Sequence, residues 1–250
     1  MVIDDAYIRL LCLVLARIVP LSAFSPALGA RLFDPKCRLG IAFILAVVIT
    51  SAVHPAEISE FWVAIVVQAI VGIVLALFSM VPFYSIQSIG EWIDLHRGET
   101  LSSVLIPQMQ SRTSSLGRLY LLLSTAIFFA CDGHLTLVSE LIASFKVIPV
   151  HRGCGSNLDV FQLLPGLNEW NRLIADLFFV TLKFAIPTVF CLWVTDIVLG
   201  ILNRTAPTLQ VFFLGIPLKM WLGVGITGVV IGYSIEPIVK YILVSMALFT

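Results

Sequence analysis

Charge is scarce in this chain. Fifteen Lys and Arg and fifteen Asp and Glu make up 12% of its 250 residues, about half the share found in an ordinary soluble domain. The two signs cancel, so no global field attracts nucleic acid. Cysteine is sparse and unpatterned. Cys12, Cys37, Cys131, Cys154 and Cys191 are odd in number and show no C-x-x-C spacing, which argues against a disulfide framework and against a zinc site. The four histidines (His54, His96, His134, His151) never stand four residues apart, so no helical metal pair exists. The motifs G-x-S-x-G, H-E-x-x-H and G-x-x-x-x-G-K-[ST] are all missing, and with them any support for catalysis of those kinds. The expectation is a protein that is not an enzyme and uses no cofactor or metal. A turn-rich alternation of apolar and polar residues is missing too, which removes a membrane β-barrel.

What the chain has instead is apolar surface: 59% hydrophobic residues and a mean hydropathy of +1.04. A soluble fold of this size could not hide so much. Apolar runs fall at roughly 8–29, 39–53, 61–89, 116–131, 135–150, 173–202 and 209–250. A helix needs about 20 such residues to cross a hydrocarbon core of about 30 Å. Few runs are clean: Arg17 and Pro20 interrupt the first, Pro82 the third, Asp176, Lys183, Pro187 and Asp196 the sixth, and Pro217, Lys219, Glu236, Pro237 and Lys240 the last. A charge at mid-helix costs about 2.5–3.5 kcal/mol on insertion scales and must face protein or water. A proline removes a backbone donor, which neighbours must repair. The sequence therefore predicts an all-α, multi-helix membrane protein whose kinked and broken apolar helices pack among other chains.

One domain is expected over residues 1–250, with a polar connector at about 91–118. Asp4 and Asp5 against a lone Arg9 give the wrong sign for a secretory signal, so the first run reads as a retained helix. Arg31, Lys36 and Arg38 in one connector, and Arg97, Arg112 and Arg118 in another, place both on the cytoplasmic side by the positive-inside rule.

Three constellations invite a chemical reading. The first is the hexapeptide GVGITG at 223–228, which matches the dinucleotide fingerprint G-x-G-x-x-G, but that fingerprint works only between a strand and a helix. Gly228 and Gly232 also form G-x-x-x-G, the spacing for close helix approach in a membrane. Asp132 and His134 suit a polar turn better than an acid–base pair. Asp176 and Lys183, seven residues apart, share one helix face; they could serve an ion relay or dock against a partner. An ion-coupled transporter is thus the alternative class. It calls for inverted repeats, and no such symmetry is visible.

The sharpest feature is the run 203–223, NRTAPTLQVFFLGIPLKMWLG. Arg204, Pro207, Gln210, Phe212, Phe213, Gly215, Pro217, Leu218 and Lys219 resemble the C-terminal motif of the T-subunit family of the bacterial type III secretion export apparatus, which includes flagellar FliR. Arg17, Pro20, Pro26, Arg31, Pro35 and Arg38 are spaced like the opening of that family. Gly90, Ile93, Asp94, Arg97 and Gly98 look like the G-x-x-I-D-x-x-R-G motif of its virulence (injectisome) branch. Ser144, Phe145 and Pro149 resemble a later S-Φ-x-x-x-P stretch, and Pro187, Asp196 and Gly200 lead into the final motif. Leu95-His96 and Ile106-Pro107 depart from the injectisome pattern.

The resemblance implies a non-enzymatic subunit of the export gate in the bacterial inner membrane. It would join R and S subunits, neighbour the switch protein U, and border a conduit for unfolded secreted proteins. Arg17, Gly90, Asp94, Arg97, Gly98, Arg204, Pro207, Gln210, Phe213, Pro217 and Lys219 are the positions it marks as family-motif and subunit-interface residues. The helix is expected to end near Asn203, resume around Leu209, and kink or turn at Pro217.

Overall fold

The computed structural model of the protein describes residues 5–28, 33–52, 61–99, 114–150, 167–205 and 211–247. Each of the seven apolar runs becomes an α-helix, and among the described residues there is no strand. Helix α1 spans Asp5–Phe24, with Asp5 in its first turn, where a carboxylate favours the positive end of the helix dipole. Leu10, Leu13, Val14, Arg17, Ile18 and Leu21 are its buried residues, a three-and-four spacing that marks one face. A short 3₁₀ turn, Pro26–Leu28, follows. Helix α2, Pro35–Ala52, opens on a proline, whose missing N–H costs nothing at a first helical position. Ala42, Ala46 and Ile49 are fully buried in it.

Helix α3 runs from Phe61 to Arg97, with Pro82 inside it. At 37 residues it is about 55 Å long at 1.5 Å per residue. It stops at Gly98, whose φ is +81°, a left-handed position that glycine occupies without Cβ strain. Helices α4 (Ser115–Ala130) and α5 (Gly133–Val147) are separated by Cys131 and Asp132. Asp132 has φ +55°, so this CDGH stretch is the polar turn expected. Helix α6 covers Leu167–Thr205 with Pro187 inside, and α7 covers Val211–Ala247 with Pro217 and Pro237 inside.

Four segments are long and apolar enough to cross a membrane: Asp5–Phe24, Phe61–Arg97, Ile174–Thr205 and Gly215–Ile242; the bent pair α4–α5 makes a fifth if taken as one span. The chain is an all-α membrane protein. Contacts divide it into two compact units interleaved in sequence. The first comprises Met1–Val81, Phe128–Arg172 and Leu243–Thr250, with Leu13, Val14, Ile18, Ala46 and Ile49 at its core. The second comprises Pro82–Ile127 and Leu173–Ile242, centred on Phe83, Ile86, Ile89, Ile93, Tyr120, Leu192 and Ile238. The division falls at Pro82, within α3.

The polar stretch 91–118 is shared out among the last two turns of α3, the first turn of α4 and a part outside the described residues. Helix is described to Thr205 and again from Val211; the expected break, with Pro207 and Gln210, lies outside the described residues. Pro217 sits inside α7, with helix continuing on both sides. The hexapeptide 223–228 is helical throughout, so the strand that a dinucleotide fingerprint requires is absent from this spot.

Candidate site: two buried arginine clusters and the C-terminal break

In the first unit Arg17 is fully buried. A guanidinium cannot shed its proton at any ordinary pH, so its donors must be answered within the protein. Its Nε donates to Gln68 Oε1 on α3 at 2.7 Å, Nη1 to Ser144 Oγ on α5 at 3.0 Å, and Nη2 to the carbonyl of Ile148 at 2.8 Å. The plane lies 4.0 Å from the centroid of the Phe145 ring, a cation–π stack that stabilises a desolvated charge. Among the described residues, neutral acceptors and a ring face therefore carry this charge without a carboxylate. Ser144 and Phe145 are the pair in the S-Φ-x-x-x-P stretch, and their work is to receive Arg17.

Gly72 on α3 completes the arrangement. A Cβ there would lie 2.9 Å from the backbone carbonyl carbon of Arg17, closer than real Cβ atoms come. Sequence reasoning passed over Gln68 and Gly72. The signal was available: a Gln in the otherwise apolar first half of the run 61–89, four residues before a Gly, on the helix that must answer Arg17.

In the second unit Asp94 and Arg97, 2% and 6% exposed, form an ion pair at 2.9 Å. Asp94 also reaches the start of α4. Its Oδ2 accepts from Ser114 Oγ at 2.5 Å and from the Leu116 N–H at 2.8 Å. A helix start leaves four N–H groups without partners; here a carboxylate from another helix supplies an acceptor and matches the dipole. Gly90, one turn earlier, makes this reach possible, since a Cβ there would sit 2.5 Å from the Gly117 nitrogen. Ile93 is fully buried beside them. The Arg97 stem crosses Gly223 of α7, where a Cβ would come within 2.5 Å of its Cγ, and Nη2 donates to Met220 Sδ at 3.4 Å.

The G-x-x-I-D-x-x-R-G pattern is thus a clasp with one task per residue: approach, core, cap, counter-charge and helix stop. Arg97, counted above toward a cytoplasmic connector, lies inside α3 and is neutralised by Asp94. Next to the clasp, Glu99 accepts from Ser115 Oγ. Burial pushes its carboxyl up, but hydrogen bonds from Ser115 and the charge of Arg97 prevail, holding it below the usual carboxylate range.

The C-terminal motif is only partly brought together. Lys219 on α7 is ion-paired with Asp196 on α6, and Gly215 faces Leu199, whose Cδ1 lies 2.9 Å from where a Cβ would be. These contacts tie α6 to α7. Thr181 Oγ1 and the Tyr241 hydroxyl both bond to Ser85, at 3.0 Å to its carbonyl and 3.2 Å to its Oγ, and join α3 to the same pair. Arg204 is exposed in the last turn of α6, with no hydrogen bond or ion pair to the described residues. Phe213 lies on α7.

Lys183 is exposed and Asp176 half-buried, and the structure does not join them. Large apolar side chains on both helices are open: Phe179 at 65%, Ile197 at 63%, Trp221 at 80% and Tyr233 at 82% exposure. In the three longer spans only 22% of the apolar window is buried.

The family described as bacterial export proteins, family 1, matches residues 8–243. The chain belongs to this family. Its similarity to individual members is even in length and modest in identity. It is 28% identical over 217 residues to the flagellar biosynthetic protein FliR of Escherichia coli strain K12, covering 85% of this chain and 80% of the relative. The secretion system apparatus protein SsaT of Salmonella typhimurium is also 28% identical over 217 residues, with 86% and 80% covered. The Yop proteins translocation protein T of Yersinia pestis is 26% identical over 218 residues, with 83% and 80% covered. Flagellar and secretion-system relatives stand at the same 28%, so identity does not separate the branches. Family and spans together make this a protein of the bacterial inner membrane.

Proposed function

We propose that the chain is a structural subunit of the type III secretion export gate. In this reading it assembles with R- and S-type subunits, lies beside the switch protein U, and helps to wall the conduit through which unfolded proteins leave the cytoplasm. It performs no catalysis of its own. The observation that carries the reading is the family match over 8–243. The physical support is the contrast between buried charges that find partners within the chain and charges left exposed on apolar spans. Arg17 is hydrogen-bonded and Asp94 and Arg97 are ion-paired within the chain, whereas Lys183, Arg204, Glu236 and Lys240 are exposed on or beside apolar spans. Lipid offers such charges nothing, so protein or a water-filled conduit must face them.

Assignment to the virulence branch rests on the Gly90–Gly98 pattern. Packing is the mechanism: the buried clusters fix the register of the helices, and the exposed faces are presented to neighbouring subunits. The test is purification of the complex through a tag on this chain, followed by mass spectrometry. R- and S-type partners are expected at stoichiometric levels. A monodisperse, protease-resistant monomer in mild detergent, with no such partners, overturns the reading.

A further inference from the structure

The first unit holds a cavity of about 50 Å³ between α1, α3 and α5, lined by Leu21, Leu75, Ser79, Leu137, Glu140, Leu141 and Ser144. Its walls are four leucines; its polar groups are one carboxylate and two hydroxyls. The Oε2 of Glu140 is shielded from solvent and has no hydrogen-bond partner. Both hydroxyls already have partners elsewhere: Ser144 Oγ–H donates to the Leu141 carbonyl at 2.6 Å while accepting from Arg17, and Ser79 Oγ pairs with Ser25 Oγ at 2.7 Å. The cavity thus presents oxygen acceptors and apolar walls, and Glu140 Oε2 receives no donor from the described residues. Arg17, the cation among the described residues that reaches its lining, spends its donors on Gln68, Ser144 and Ile148.

We infer that this cavity receives a lysine side chain from a neighbouring subunit of the assembly, its ammonium bonding to Glu140. A lysine is the complement of the site in each respect. Four methylenes suit the leucine walls, as long cationic side chains bury their stems along apolar surface. Three ammonium N–H donors meet the acceptors Glu140, Ser79 and Ser144. The charge meets a carboxylate whose Oε2 has no partner among the described residues, and a carboxylate on an apolar helix in a membrane protein requires one or must stay protonated. The inference rests on the reading of the chain as one subunit among several.

The test uses membranes containing the complete assembly, treated with dicyclohexylcarbodiimide. The reagent adds to the Glu140 carboxyl to give an O-acylisourea; an adjacent lysine nitrogen then displaces dicyclohexylurea and leaves an amide bond. The expected product is a peptide of this chain joined through Glu140 to a lysine of another subunit, absent from Glu140→Gln. Glu140→Gln should also lower secretion at least tenfold, because an amide cannot balance an ammonium. Three results overturn the inference: Glu140 recovered only as the rearranged N-acylurea, a cross-link only to a lysine of this same chain, or wild-type secretion by Glu140→Gln. The first and third identify a carboxyl that works as the neutral acid. Copurification of R- and S-type partners in the same preparation keeps the proposed function separate, since partners present without the cross-link refute only the lysine site.

Discussion

Arg17 shows how a single side chain can be costly in one setting and indispensable in another. Inside a span its charge is unfavourable, yet three acceptors on two other segments are aimed at it. Removing a hydrogen-bonding partner from a buried polar group costs about 1–3 kcal/mol for each group left unanswered. Arg17→Leu should therefore destabilise the folded chain although it improves hydropathy. Arg17→Lys should not rescue it, because an ammonium cannot replace the fixed fork of a guanidinium. Protease resistance of the chain in membranes, compared at matched synthesis, measures both; wild-type resistance in either variant contradicts the account. Glycines give a second contrast at this scale. Gly72→Ala drives a methyl into the Arg17 carbonyl, whereas Gly228 and Gly232 have nothing within 4 Å of an added Cβ. Gly72→Ala should lower resistance. Gly232→Ala should leave the chain's own fold intact and gain up to about 1 kcal/mol of helix propensity.

Between elements, the decisive quantity is burial. Asp94 and Arg97 stand three residues apart, and an exposed pair at that spacing is worth only about 0.2–0.5 kcal/mol. Side-chain exposures of 3% and 7% move it to the regime where losing one partner costs about 3–5 kcal/mol. Arg97→Ala should thus reduce both protein level and secretion. Asp94→Asn, which keeps an oxygen for the Leu116 N–H, should be milder than Asp94→Leu, which removes the α4 cap as well. Equal effects of the two Asp94 variants on protease resistance would remove capping from the explanation. Gly98→Ala adds a test of the helix stop, since a left-handed φ costs a residue with a Cβ about 1–2 kcal/mol.

Much of this scale was open to reading from the residues. The apolar runs gave the seven helices, and the Asp-Gly turn gave the α4–α5 break. What was not legible is pairing across distance. Nothing local to Gly223 says that it seats Arg97, and nothing near Asp94 says that its oxygen reaches Leu116, 22 residues on. Periodicity reports a helix and its face; it is silent on which helix arrives there.

At the scale of the whole molecule the surface is as informative as the core. Three long spans bury only 22% of their apolar windows, so most of their hydrophobic area meets lipid or other chains. Arg204, exposed in the last turn of α6, is the residue whose replacement best separates these. Arg204→Leu should leave the Lys219–Asp196 pair in place while lowering recovery of R- and S-type partners at matched expression. Undiminished recovery with normal secretion would make the motif incidental to assembly.

The reach of the Arg17 contacts also sets an order of events during synthesis. Two of its three acceptors lie 127 and 131 residues downstream. At about 5–20 residues per second, translation supplies them roughly 6–26 s after Arg17 itself is made. For that interval the first helix carries a charge with most of its shelter unbuilt, and it must wait beside the insertion machinery or a chaperone. The sign of one substitution should then depend on chain length. In a nascent chain truncated before Ser144, Arg17→Leu should lengthen the half-life in a pulse-chase; in the full chain the same change should shorten it.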